Sequence, residues 1–346
     1  MDRETQLIER IARAVPSNLG SRPGARTRVG IGDDAAILRP GRNTEWALSC
    51  DGFLQDVHFL VPSYPPDSVG YKSLVRATSD LAAMGATPRL FLLTLALPER
   101  LTGNWLDEFL RGMGRAARLL GMHLAGGDTT RAASVSISIT VVGEVAQGLA
   151  VRRSGARPGD ILYVSGTLGR AQLGLELASA VRPGMLAKLL SSQPRLLQPH
   201  LYPKIRLGLG AWLARHQVAS AMMDISDGLS SDLARLCQAS GSGARVRAQC
   251  IPCVRLPTAP KGQLRKLRLD PFQMALHGGE DYELLFTVPR RKLELLRRAP
   301  DFRKITAIGE IERGNGITLV GTDGRGKRLD PGGWDPFRRK SSPPTV

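Results

Sequence analysis

The sequence predicts an α+β fold built from two related domains, with a ligand site between them. Three observations carry that prediction. Both halves of the chain repeat one unit, in which an apolar run leads into an acidic, glycine- or serine-bearing segment and then a helical stretch. The length, 346 residues, suits two domains. Hydrophobic residues make up 42% of the chain, ample for real cores.

The elements follow in order. Residues 3–15 carry Leu7, Ile8, Ile11, Ala12 and Val15 at helical spacing. Short apolar runs at 29–31 and 35–38 flank Gly32-Asp33-Asp34. Residues 45–49 read as a strand that delivers Asp51 at its end. Residues 68–84 read as a helix with Asp67 or Ser68 as N-cap, closed by Gly85 and followed by Pro88. A strand at 90–97, a helix at 104–120 ending at Gly121, and a short strand at 123–125 before Gly126-Gly127-Asp128 come next. Residues 135–145 alternate as a strand should. A stretch rich in Gly, Arg and Pro, 147–160, opens the second domain, so the expected division is 1–146 and 147–346. Beyond it the pattern gives strands at 161–165, 219–223, 282–288, 305–311 and 316–320. It gives helices at 170–180, 205–216, 229–240 and 293–298. The basic, Pro/Ser-rich tail from Arg338 reads as frayed.

Charge narrows the function. Lys and Arg number 48 against 31 Asp and Glu, a formal net charge of +17. Such an excess attracts phosphorylated metabolites or nucleic acid. No helix-turn-helix, zinc-finger or aromatic stacking motif supports nucleic acid, and aromatic residues are only 5%. A salt titration of nucleic-acid retention discriminates that class. No apolar run approaches the roughly 20 residues of a membrane span. The polar start, Met1-Asp-Arg-Glu-Thr-Gln, lacks a signal-peptide core, so the expected location is cytoplasmic. Cysteines stand at 50, 237, 250 and 253. Cys250-Ile-Pro-Cys253 has no second close pair to complete a zinc site, and free thiols are expected.

The scarce acids are not scattered. They gather at Gly30-Ile-Gly-Asp-Asp34, Ser49-Cys-Asp51, Ser79-Asp80, Gly126-Gly-Asp128, Asp224-Ile-Ser-Asp227 and Gly278-Gly-Glu-Asp281. Each segment alone also fits an ordinary turn or helix cap. Together they point to a site where hard oxygen ligands hold Mg²⁺ and handle phosphate groups. Two other motifs fail in context. Gly30-Ile-Gly32 loosely fits a dinucleotide fingerprint, but Pro40-Gly41 follows where a helix should run. Gly321-Thr-Asp-Gly-Arg-Gly326-Lys327 nearly spells a phosphate-binding loop, but Arg328 stands where Ser or Thr must ligate the metal. Thr322-Asp323-Gly324 reads instead as a hairpin turn.

In their order the motifs resemble the thiamine-monophosphate kinase family of the aminoimidazole-ribonucleotide synthetase-like superfamily. The resemblance runs from Leu7 to about Phe337. Its marks are Gly30-Ile-Gly-Asp-Asp-Ala-Ala36, Asp51 with His58-Phe59, Ser79-Asp-Leu-Ala-Ala-Met-Gly-Ala-Thr-Pro88 and Gly126-Gly-Asp-Thr-Thr-Arg131. Arg153-Ser-Gly-Ala-Arg-Pro-Gly-Asp160, Asp224-Ile-Ser-Asp-Gly-Leu-Ser-Ser-Asp232 and Gly278-Gly-Glu-Asp-Tyr-Glu-Leu284 complete the set. The resemblance implies the two-domain fold of that superfamily. An N-terminal dimerising α/β domain binds Mg²⁺ and ATP, and a C-terminal α+β domain completes the ATP and substrate site. It implies a homodimer and the conversion of ATP and thiamine monophosphate to ADP and thiamine diphosphate. Several Mg²⁺ ions would be held by Asp34, Ser49, Asp51, Asp80, Asp128, Asp224 and Asp227. Gly127, Asp128, Arg153 and Ser226 would contact ATP. His58, Glu280 and Trp334 would contact the thiamine substrate, and Asp51, Asp128 and Arg153 would carry catalysis. Another ATP-dependent enzyme of the superfamily, acting on a different phosphorylated metabolite, is the alternative. One departure stands out: Cys50 occupies the position before Asp51 where the family usually has Thr, and a thiol is a poor ligand for Mg²⁺.

Overall fold

The computed structural model describes residues 3–16, 27–29, 37–38, 41–181, 185–256 and 267–337. The first helix, α1 (Arg3–Ala14), precedes two short antiparallel strands, β1 (Thr27–Val29) and β2 (Ile37–Leu38). These bracket residues 30–36, so Asp34 lies outside the described residues. So does the tail from Arg338.

A four-stranded sheet organises the first half. Its members are β3 (Thr44–Leu54), β4 (Thr87–Leu97), β5 (His123–Arg131) and β6 (Ser136–Ala146), in the order β3-β6-β4-β5. β6 runs antiparallel to β3 and β4, while β4 and β5 are parallel. Helices α2 (Pro66–Ala83) and α3 (Asn104–Leu120) pack on one another, and α2 also packs on β3 and β6. Alternation along β6 buries Ile137, Ile139 and Val141 and leaves Ser136, Ser138 and Thr140 half-exposed.

The second half holds a seven-stranded sheet, ordered β13-β12-β9-β11-β7-β10-β8. Its strands are β7 (Ile161–Ser165), β8 (Ala221–Ile225), β9 (Gly243–Arg247), β10 (Glu283–Val288), β11 (Ile305–Glu312), β12 (Gly316–Val320) and β13 (Gly326–Arg328). Neighbours are antiparallel except β9 and β12. β12 and β13 join through the expected turn, where the Gly321 amide donates to the Arg325 carbonyl at 3.0 Å. Around the sheet lie α4 (Arg170–Ser179), α5 (Leu186–Ser192), α6 (Pro194–Leu201), α7 (Leu207–Arg215), α8 (Leu229–Ser240), α9 (Pro271–His277) and α10 (Leu293–Leu296).

The two halves share a core. Leu173, Leu177, Leu186, Leu197 and Leu201 from α4, α5 and α6 join Leu74, Phe91, Phe109 and Ile139 in one hydrophobic cluster. Helix α2 is the shared pillar. It touches β3 and α3 on one side and α7 and β8 on the other, and almost every residue from Ser68 to Ala83 is buried. A helix buried nearly all round presents its few polar side chains to other protein groups, not to solvent.

Several sequence expectations change here. Asp51 and Asp224 lie inside β3 and β8, and Gly126 to Arg131 belong to β5; none sits in a turn. Glycine disfavours strands, but pairing with neighbouring strands overrides that weak local preference. The N-cap of α2 is Pro65, neither Asp67 nor Ser68; the Ser68 hydroxyl instead donates to the Pro65 carbonyl at 2.7 Å.

Candidate functional site

One face of α2 builds the site. Lys72, Arg76 and Asp80 stand four residues apart, so they align along the helix. Each reaches a motif residue. Lys72 Nζ donates to Glu280 Oε2 at 2.6 Å. Arg76 Nε lies 3.3 Å from Asp51 Oδ2, and its guanidinium sits 5.1 Å over the Phe53 ring. The Ser49 hydroxyl donates to Asp80. Ser79, one residue before Asp80, donates to Asp224 Oδ2 at 2.7 Å and so ties the two halves together.

The strand geometry explains which neighbours take part. Successive side chains of β3 point to opposite faces. Ser49 and Asp51 therefore meet α2. Cys50 faces the other way, where its Sγ lies 3.4 Å from Ser138 Oγ and accepts from Thr140 Oγ at 3.4 Å. The family departure at Cys50 thus falls on the far side of the strand from Asp80. All four cysteines are free.

The acids crowd one another. Burial pushes the Asp51 carboxyl up, the Arg76 charge opposes this, and Asp80 and Asp227 add like-charge repulsion. Asp224 is pushed up to about 7 by burial, then by Asp80, with the Ser79 hydroxyl and Arg153 pulling the other way. Ion pairs cover only part of this negative charge. Among the described residues, no three His, Cys, Asp or Glu side chains are arranged to hold a metal ion by themselves. Asp128 stands on the sheet edge, exposed, in register with Thr94.

The segment Ser226 to Gly228, just after β8, is held from below. Asp232 Oδ2 accepts from the amides of Ser226 at 3.1 Å and Asp227 at 3.0 Å. Arg235 Nη1 bridges Asp227 at 2.6 Å and Asp232 at 2.7 Å. The Glu280 amide donates to the Ser226 carbonyl at 2.8 Å, which couples the two acidic segments.

An aromatic corner closes the far end. The Trp334 amide donates to the Asp227 carbonyl at 2.9 Å, and its ring centroid lies 6.5 Å from that of His58. Gly333 makes this approach feasible, since a Cβ there would fall 1.9 Å from the Asp227 carbonyl oxygen. Trp334 keeps 45% of its surface exposed. His58 Nδ1 accepts from the Leu54 amide at 3.0 Å. Burial and the Arg76 charge lower its pKa to about 4, so the ring is neutral near pH 7 and Nε2 carries the proton.

The structure therefore brings together Ser49, Asp51, Asp80, Asp224, Asp227, Ser226, His58, Glu280 and Trp334. Arg153 is exposed yet within electrostatic reach of Asp224. Gly127 and Asp128 lie apart on β5. Reading the sequence missed Lys72, Arg76, Arg235, Tyr64 and His200, and gave Asp232 no role. For the first two the signal was present, as charged residues at four-residue spacing on an otherwise apolar helix.

Comparison with known proteins decides the family. Residues 32–145 match the AIR synthase related protein N-terminal domain, and residues 157–322 match the corresponding C-terminal domain. Thiamine-monophosphate kinase of Salmonella typhimurium is 38% identical over 319 residues, covering 89% of this chain and 92% of the relative. The chain belongs to the thiamine-monophosphate kinase family. Among solved structures, thiamine-monophosphate kinase from Stenotrophomonas maltophilia is similar with a TM-score of 0.75 at 36% identity, covering 93% of this chain and 96% of that one. AaThiL complexed with AMPPCP and TMP is similar with a TM-score of 0.70 at 34% identity, covering 89% and 92%. For this member of the family, the expected superfamily architecture of two AIR synthase-like domains holds.

Proposed function

We propose that this chain transfers the γ-phosphoryl group of ATP to thiamine monophosphate, giving thiamine diphosphate and ADP. One observation carries the reading. A single face of α2 gathers the acids Asp51, Asp80 and Asp224, with Asp227 in electrostatic reach of Arg76, next to the family's substrate positions His58, Glu280 and Trp334. The relative complexed with AMPPCP and TMP supports the choice of both substrates.

The acidic cluster suits Mg²⁺. Its donors are hard oxygens, and like-charge repulsion leaves them in want of a cation. Ser49, Asp51, Asp80, Asp224 and Asp227 would hold it, with Asp34 and Asp128 as the further family positions. When bound, the metal supplies charge neutralisation between two polyanions. ATP phosphates would meet Gly127, Asp128, Arg153 and Ser226. The acceptor is already a phosphate oxyanion, so the residues need only align it with the γ-phosphorus and screen the repulsion. A neutral His58 would offer its Nε2 proton to the substrate without adding charge. A coupled ADP-release assay tests the reading. Turnover with thiamine monophosphate and none with free thiamine is expected; comparable turnover of free thiamine would show that a hydroxyl reacts instead.

Trp334 favours this substrate over other phosphorylated metabolites, because an indole face attracts a flat cation by roughly 0.5–2 kcal/mol. Trp334→Ala should raise the KM for thiamine monophosphate several-fold and leave that for ATP unchanged. A lower melting temperature with both KM values unchanged would make Trp334 a packing residue only.

The open face of the N-terminal sheet supports a homodimer. Trp46, Leu48, Leu54 and Leu92 remain exposed there, Leu48 by 62%. A second copy would bury this apolar face. Light scattering on Leu48→Glu checks it: wild type at twice the chain mass and the variant at one chain mass are expected, and a monomeric wild type would refute it. A cytoplasmic location is consistent with the free cysteines, and no described helix is long and apolar enough to cross a membrane.

A further inference from the structure

Glu280 is gripped from both halves of the molecule. Lys72, on α2, is 2% exposed and donates to Glu280 Oε2 at 2.6 Å. His200, on α6 and 1% exposed, places Nδ1 3.0 Å from the same oxygen. The Tyr64 hydroxyl lies 2.8 Å from His200 Nε2, and Tyr64 is itself buried.

The chemistry of the chain fixes its protons. Burial lowers the His200 pKa, and the Lys72 charge lowers it further, so the ring is neutral. Nδ1 then donates to the Glu280 carboxylate, and Nε2 accepts from Tyr64. Burial opposes ionisation of Glu280, but Lys72 and His200 outweigh it and hold its carboxyl well below the usual range. Both grips fall on Oε2. Among the described residues no protein donor reaches Oε1.

The backbone holds the same carboxylate still. Glu280 has φ of 66° and Tyr282 φ of 50°, both left-handed and both non-glycine. Their amides donate to the Ser226 and Ile225 carbonyls at 2.8 and 2.9 Å. Backbone held in this region persists where its surroundings over-determine it, and such residues cluster at ligand sites.

We infer that Lys72, His200 and Tyr64 are positioning residues that fix Glu280 as an acceptor-only contact for an amino group on the substrate's flat ring, and so select an aminopyrimidine over an oxopyrimidine. The inference rests on the proposed contact between Glu280 and thiamine monophosphate. An ionised carboxylate has no proton to give. A ring bearing a carbonyl at that point would turn one lone pair against another, whereas an amino group would donate to Oε1. A site built to accept from an N–H discriminates strongly against an analogue lacking it, because its own polar group is left unpaired. If Lys72 and Glu280 merely clip the two halves together, loss of the pair would lower the melting temperature and shift the KM for both substrates without regard to the ring substituent.

The test is steady-state kinetics on the full chain. The acceptors are thiamine monophosphate and the analogue whose pyrimidine amino group is replaced by oxygen. Wild type should prefer the amino substrate in kcat/KM by about 10-fold to 100-fold, the scale of a charge-assisted hydrogen bond. Lys72→Met and Tyr64→Phe should both shrink that preference, through the KM of the amino substrate, with the KM for ATP unchanged. The double variant Lys72→Met with Glu280→Gln should behave like Glu280→Gln alone. Tyr64→Phe removes only a hydroxyl and keeps the test decisive if Lys72→Met does not fold. If Glu280→Gln leaves the KM and the preference intact, Glu280 is no substrate contact and both readings fall. If Glu280→Gln abolishes the preference while Lys72→Met and Tyr64→Phe keep it whole, the positioning inference alone is overturned.

Discussion

Replacing Asp51 by asparagine lowers kcat by at least about 10²-fold, the scale of losing one strong electrostatic contact in the transition state. The fold survives. Asp51 sits in β3 with its carboxylate pushed up by burial and by Asp80 and Asp227, and Arg76 offsets only part of this. A carboxyl whose pKa is raised on folding is disfavoured in its charged form. Its ionisation therefore removes stability as pH rises through the window above its ordinary value. Asparagine removes that penalty, so the melting temperature at neutral pH should hold or rise while turnover collapses. Stability unchanged with near-wild-type kcat would make Asp51 a strand residue with no part in the reaction. A large fall in melting temperature would mean that the ion pair to Arg76 matters more to the fold than to the chemistry.

Gly127→Ala strikes both fold and function. Gly127 faces Leu93 in the β4–β5 ladder, and a Cβ there would fall 1.9 Å from the Leu93 carbonyl oxygen. Its φ of 158° adds to the difficulty. The obstacle is backbone, so no side chain can swing away. The strands must part, at a cost of roughly 1–3 kcal/mol or more on the scale of overpacking. β5 is an edge strand, held on one side only. The damage should stay local, with a melting temperature lower by several degrees and a KM for ATP raised several-fold through Asp128, the next residue. Thermal melts and kinetics on one preparation check both. An unchanged KM for ATP alongside a lower melting temperature would remove Gly127 and Asp128 from the nucleotide site.

These residues also show how far the sequence could be read. Helices α3 and α8 and strands β7 and β12 have the bounds their periodicity predicts. Their apolar faces and glycine ends are local signals. The acidic segments were legible as a candidate site but not as a shape. Gly126-Gly-Asp128 carries every mark of a turn, yet after one irregularity at Ala125 it stays in the strand, because β4 supplies a ladder that no local rule can see. The short helices α5, α6 and α9 escaped notice because seven or eight residues are too few to show a periodic pattern, although Asp270 caps α9 and Pro271 and Pro194 open α9 and α6. The hidden half of the site is Lys72, Tyr64 and His200. The spacing of Lys72 with Arg76 and Asp80 marks a face of α2 but names no partner, and a lone His reads as core. Only their convergence on Glu280, across 208 and 80 residues of chain for Lys72 and His200, gives them a role.

Direct transfer from ATP to a phosphate already on the substrate leaves no phosphoryl group on the protein. ATP labelled in the γ-phosphoryl group, incubated with thiamine monophosphate and Mg²⁺, tests it most directly. All transferred label is expected in the terminal phosphate of thiamine diphosphate, in step with ADP and with none retained on the protein. Label accumulating on the chain, or released as inorganic phosphate without thiamine diphosphate, would contradict it.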